Sequence, residues 1–234
     1  VGQSRILTNF DGTLRDVVTL AHELGHAYHN QQVFGNRIGN TGYPMPVAET
    51  ASTFNETVVM DAAIALASGN ERIGLIESQL QDVTQIICDI YSRYLFETAV
   101  IERKAEGFMF ADELDQIMLD AQKEAYGDGL DPEYLHPSAW ICKQHYYFAG
   151  LDFYNFPYAF GGLFARGLYA KYKEEGEAFL PKYRALLKAT GTCSVEEAAA
   201  MAGIDLSKPD FFRTSLQSYA DRMDEFIKLT EGMR

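Results

Sequence analysis

Histidines 22 and 26 stand four residues apart in the run His22-Glu23-Leu24-Gly25-His26, and that spacing commits the surrounding chain to a helix. Residues four apart share one helical face, one turn apart, so a helix turns both imidazoles toward a common point. Gly25 adds a second constraint. Inside a helix glycine costs about 1 kcal/mol relative to alanine. Its presence there predicts that another backbone comes close at that turn.

Two neutral imidazoles on one helical face suit a zinc ion, which takes nitrogen, sulfur or oxygen donors at about 2 Å in a tetrahedral arrangement. Glu23 follows His22 and points to the side of the same face, where a carboxylate can act as general base toward an attacking water. A catalytic zinc site uses three protein ligands and keeps one position open. Glu49 is the best third candidate, giving one Zn2+ per chain. It opens the next predicted helix, in Pro46-Val47-Ala48-Glu49-Thr50-Ala51-Ser52, where small residues permit close helix–helix contact. Glu56 lies seven residues further, on nearly the same face. It reads either as the acceptor that orients a ligand histidine or as an ordinary half-exposed carboxylate. His29 sits about 10 Å along the axis from His22. It is too far to share the ion and reads as a structural or supporting residue.

The rest of the chain is helical in pattern. Residues 5–10 read as a short strand ended by Asp11-Gly12. That strand offers an edge to which an extended peptide could add. Thr13 caps the motif helix, with Asp16 completing a partial capping box, and the helix runs to about Gln32. Gly35, Gly39, Gly42, Pro44 and Pro46 make residues 33–46 a loop. The next helix runs from about Val47 to Ser68. Apolar residues at Ile76, Leu80, Val83, Ile87, Ile90 and Tyr94 predict one long core helix from Glu71 to Lys104. Ala111 to Tyr126 is a further helix. Another starts near Asn155-Phe156-Pro157, with Asn155 as cap and Pro157 in the first turn, and two or three more end the chain. No repeat or linker stands out. The expected fold is mainly α, a single domain over residues 1–234 with a short strand segment near its N-terminus.

Composition narrows the function classes. The 234 residues are enough for one sizeable core, and 47% of them are apolar. A formal net charge of −13 repels phosphate backbones, so no nucleic-acid partner is expected. No apolar run reaches membrane-spanning length, so no membrane partner is expected either. Residues 1–10 lack a basic stretch before an apolar core, so no secretory leader is expected. Cys88, Cys142 and Cys193 are odd in number and widely spaced, the pattern of reduced core thiols in a cytoplasmic protein.

Taken together, the residues resemble a family. His22-Glu23-Leu24-Gly25-His26-Ala27-Tyr28-His29, then Glu49-Thr50-Ala51-Ser52-Thr53-Phe54-Asn55-Glu56, with Asn9-Phe10-Asp11-Gly12-Thr13-Leu14-Arg15-Asp16-Val17 before them, is similar to oligoendopeptidase F. That is a bacterial branch of the thimet oligopeptidase family of zinc metallopeptidases. The resemblance runs along essentially the whole chain but covers only the C-terminal catalytic part of a family member. It implies a helical zincin-type catalytic domain and a missing N-terminal region that helps wall a substrate channel. It implies that His22, His26 and Glu49 hold zinc, that Glu23 is the base, and that short peptides are cleaved at an internal bond. It also implies a histidine and tyrosines facing the scissile peptide. His145, Tyr154 and Tyr158 are the matching positions, although Phe156 and Pro157 depart from the family pattern. A zinc exopeptidase of similar design would need a group to hold a free terminus, and no motif supplies one. A non-catalytic zinc-binding helical module would lack the base, which is present as Glu23.

Overall fold

The structure is a computed structural model and describes residues 2–150 and 152–233. Nine α-helices are present among the described residues: α1 (Leu14–Val33), α2 (Thr50–Leu66), α3 (Gly69–Thr84), α4 (Ile90–Lys104), α5 (Ala111–Tyr126), α6 (Phe156–Glu175), α7 (Leu180–Ala189), α8 (Val195–Ala200) and α9 (Asp210–Thr230). Short 3-10 turns join several of them. The chain divides into two compact units, Val1–Gln81 with Phe160–Arg234, and Asp82–Ala159.

The expected strand is absent. Residues 5–10 have no strand pairing, and Leu7 is 99% exposed. A strand exists only through its ladder to a neighbour, and none of the described residues forms one. A short run before a turn signal does not by itself supply that neighbour.

In the first unit α1 begins as the sequence predicts. Thr13 Oγ1 accepts the Asp16 N–H at 3.2 Å while the Asp16 carboxylate accepts the Thr13 N–H at 2.8 Å, a complete capping box. The helix packs on α2, and Gly25 is the contact. A Cβ built on Gly25 would lie 2.3 Å from the Ala51 carbonyl oxygen and 2.5 Å from the Ser52 Cα. The core gathers Phe54 of α2, Phe164 and Leu168 of α6, and Tyr183, Leu186 and Leu187 of α7. Removing such side chains from water stabilises the fold by about 1.5–3 kcal/mol each. An ionic cluster ties α2, α6 and α9: Asp61 accepts from Arg166 at 3.4 Å and from Arg222 at 3.0 Å, and Arg166 Nε donates to Ser218 Oγ at 2.8 Å.

His29 is fully buried in this unit, stacked on Tyr43 with ring centroids 3.9 Å apart. The Thr190 hydroxyl donates to the Leu187 carbonyl at 2.8 Å. Its single proton is thereby used, so His29 Nε2–H is the donor in the 2.8 Å contact with Thr190 Oγ1. Burial holds His29 neutral, its pKa pushed down to about 4. The unfolded imidazole takes up a proton near pH 6.5; the folded one does not until about 4. The contribution of His29 to stability is therefore fully present above pH 6.5 and falls as pH drops through that window, by about 2 kcal/mol at pH 5. Urea titrations in chelator at pH 7 and pH 5 check this, and His29→Gln should flatten the difference.

The second unit is built on α4 and α5, with Phe96, Met118 and Ala121 at its centre and Trp140 packed against them. Trp140 Nε1 donates to Asp115 Oδ1 at 2.7 Å. The long helix expected over residues 71–104 is interrupted by a π-helical turn, Gln85–Asp89. A π turn inserts a residue relative to the α repeat and rotates the helix beyond it. Phe96 and Arg93 are consequently buried, and Tyr94, expected in the apolar stripe, is 45% exposed. The cysteines are unpaired, but they are not core residues: Cys142 is exposed, and Cys88 and Cys193 are half-buried.

Candidate active site

One cluster of metal-capable side chains stands out among the described residues: His22 and His26 from α1 and Glu49 from the start of α2. The Gly25 contact presses the first turn of α2 onto the middle of α1, and Glu49 is that turn's N-cap residue. On its other side α6 approaches closely, since a Cβ on Gly161 would come within 3.2 Å of the Glu49 Cβ.

The donor atoms form a nearly equilateral triangle. His22 Nε2 and His26 Nε2 are 3.1 Å apart, and Glu49 Oε2 lies 3.4 Å from the first and 3.3 Å from the second. Ligands about 2.0–2.1 Å from a tetrahedral ion are separated from one another by about 3.3 Å. The triangle therefore fits a zinc ion. Its chemistry fits as well, with two imidazoles and one carboxylate as donors.

Glu56, further along α2, is bonded to His22 Nδ1. A proton on Nδ1 leaves the Nε2 lone pair free for a cation. The hydrogen bond to Glu56 raises the His22 pKa above its ordinary value; burial opposes it, and the charges of Glu56, Glu49 and Glu23 add to it. Glu49 is held at a pKa of about 2, chiefly through its bond to His26, with burial opposing and the Ser52 hydroxyl assisting. Ser52 Oγ donates to Glu49 Oε2 at 2.7 Å. In the sequence Ser52 stands out for its size alone. Its spacing of three from Glu49, within one helical turn, is the signal for this contact. Glu23 is half-buried on α1 beside His22.

His145, Tyr154 and Tyr158 lie in the second unit and are brought together there. The His145 and Tyr154 rings stack at 5.0 Å between centroids with 14° between planes. Tyr158 meets them edge-on, 6.1 Å from His145 and 5.6 Å from Tyr154, with its hydroxyl 3.5 Å from His145 Nε2. Asn155 does not cap α6 through its side chain as expected. Its Oδ1 has no hydrogen-bond partner, and its Nδ2 donates instead to Glu97 Oε2 at 2.8 Å. No sequence motif singles out Glu97.

The chain is similar to known proteins in sequence and in fold. Oligoendopeptidase F, chromosomal, of Lactococcus lactis subsp. cremoris is 27% identical over 97% of this chain and 38% of its own length. Oligopeptidase PepF of Bacillus subtilis is 25% identical over 96% of this chain and 33% of its own length. The fold is similar to a Chlamydophila abortus chain assigned as a peptidase, with a TM-score of 0.84 at 23% identity over 94% of this chain and 37% of that one. It is also similar to oligoendopeptidase-F from Enterococcus faecium, with a TM-score of 0.73 at 20% identity over 92% and 39%. This chain spans 33–39% of the length of these relatives. Peptidase family M3 matches residues 3–218, from ahead of the capped motif helix to within α9. With that span including the histidine motif, Glu49 and the aromatic group of the second unit, the chain belongs to Peptidase family M3.

Proposed function

We propose that this chain is the catalytic part of a longer zinc-dependent endopeptidase that hydrolyses internal bonds of short peptides. The observation that carries the reading is the donor triangle of His22, His26 and Glu49, with edges of 3.1–3.4 Å; Glu23, next to His22 in α1, is the carboxylate proposed as base. The names of the oligoendopeptidase relatives support the substrate class.

His22 Nε2, His26 Nε2 and Glu49 Oε2 would hold the ion, and Glu56 and Ser52 would keep two of these ligands in position. When bound there, zinc supplies a Lewis acid that polarises the scissile carbonyl and acidifies water toward neutral pH. The remaining work falls to side chains. Glu23 takes a proton from the attacking water as its oxygen bonds to the carbonyl carbon. Glu23 then gives that proton to the leaving nitrogen as the C–N bond breaks. His145 and a hydroxyl of Tyr154 or Tyr158 donate hydrogen bonds to the carbonyl oxygen as charge develops on it. One such donor is worth about 3–4 kcal/mol of barrier in other enzymes.

The test is cleavage of a quenched peptide blocked at both ends, by the full-length protein. It should be cut internally, lose cutting in chelator, and regain it on adding back zinc. Cleavage only when an end is free would favour an exopeptidase, and cleavage indifferent to chelator would remove the metal from the reaction.

A further inference from the structure

We propose that Glu97 is a positioning residue, whose carboxylate clamps the turn at Phe153–Asn155 and so sets the stack of Tyr154 on His145. This rests on the proposed endopeptidase reaction, and it concerns a residue that no motif picks out.

The clamp has two jaws. Glu97 Oε1 accepts the Phe153 backbone N–H at 2.6 Å, and Glu97 Oε2 accepts Asn155 Nδ2 at 2.8 Å. The two anchored residues flank Tyr154. Between them the chain makes a tight three-residue turn, the Asn155 N–H donating to the Phe153 carbonyl at 2.6 Å with Tyr154 at the centre. Phe153 has φ +56°, the single positive φ outside glycine among the described residues. A bulky residue stays in that region only when its surroundings over-determine it. The Glu97 carboxylate supplies the determining bond to the Phe153 amide, and Tyr94 packs beside the Phe153 ring at 5.8 Å.

Asn155 makes the same point. It is 1% exposed, yet its side chain neither caps α6 nor satisfies its own Oδ1. The bond it does make goes to Glu97. A helix start that gives up a side-chain cap for a bond to α4 is built to fix the preceding turn rather than to stabilise the helix. The residue held in that turn is Tyr154, whose ring lies 5.0 Å from His145. A displacement of about 1 Å at a reacting group can cost on the order of a hundredfold in rate.

The test uses full-length protein with Glu97→Ala, Glu97→Asp and Glu97→Gln, alone and combined with Tyr154→Ala. Glutamine keeps an oxygen for the Phe153 amide and can offer its NH2 to the unpartnered Asn155 Oδ1, so it should retain most of kcat. Aspartate keeps the charge but is one methylene too short to reach both partners. It should fall with alanine, in kcat by roughly ten- to a hundredfold, with KM and zinc content little changed. Tyr154→Ala alone should cause a comparable fall, and adding it to Glu97→Ala should cost little more, because both changes remove one arrangement. A Glu97→Asp enzyme of ordinary kcat, a neutral Tyr154→Ala, or losses that multiply would each overturn the proposal. Glu23→Gln run alongside separates the two levels. If it is inactive while the Glu97 variants are normal, only the clamp fails; if it is fully active, the proposed reaction fails.

Discussion

Gly25→Ala is expected to destabilise the folded chain by about 3 kcal/mol or more and to weaken metal binding with it. The new methyl would sit 2.3 Å from the Ala51 oxygen and 2.5 Å from the Ser52 Cα, both backbone atoms of a packed helix. No rotamer change relieves a clash with backbone. Overpacking of this kind costs about 1–3 kcal/mol even where side chains can yield, and alanine's better helix propensity returns only about 1 kcal/mol. The helices must separate, and α2 carries Glu49 away from His22 and His26 as it moves. In a chain of this size the loss corresponds to a fall in Tm of roughly 6–12 °C. Gly74→Ala is the internal comparison. Gly74 is also helical, but a Cβ there meets nothing within 4 Å, so the substitution should be neutral or stabilise by up to about 1 kcal/mol. Equal Tm values for Gly25→Ala and wild type would remove the close helix contact from the account.

That contact was legible in the sequence because a helical glycine has few other reasons to exist. The same holds for α1. The Thr13–Asp16 pair and the four-residue histidine spacing are local rules, settled within one or two turns. Glu49 could be reached because it opens the helix that the glycine brings near. Features set by distant partners were hidden. Residues 5–10 read as a short strand ended by a turn, but strand formation depends on a neighbour that a local run of residues does not report. The Gln85–Asp89 π turn leaves the apolar spacing of residues 76–94 unchanged in the sequence while rotating the helix face, which is why Tyr94 was expected inward and is exposed. Asn155 looked like a helix cap because local propensity says so; Glu97, 58 positions away in sequence, takes its amide instead.

Glu23→Gln should separate binding from chemistry. Glutamine preserves the size of the side chain and removes its capacity to take a proton, and Glu23 is not among the three donors of the metal cluster. Zinc content and KM for a blocked peptide should therefore stay near wild type. The value of kcat should fall by about a thousandfold, within the span usual for one general acid–base group. Single-turnover rates would show the loss in the chemical step rather than in product release. Ordinary turnover in this variant would mean that some other group takes the proton.

The central claim is that His22, His26 and Glu49 together hold one zinc ion, and the direct measurement is zinc stoichiometry and affinity in full-length protein. Wild type should retain one equivalent per chain after dialysis. Glu49→Ala should remain folded and bind zinc at least about a hundredfold more weakly, since the loss of a mere supporting partner already costs ten- to a hundredfold. Stoichiometric zinc with unchanged affinity in Glu49→Ala would contradict the ligand set, and a wild-type protein that holds no zinc would contradict the site.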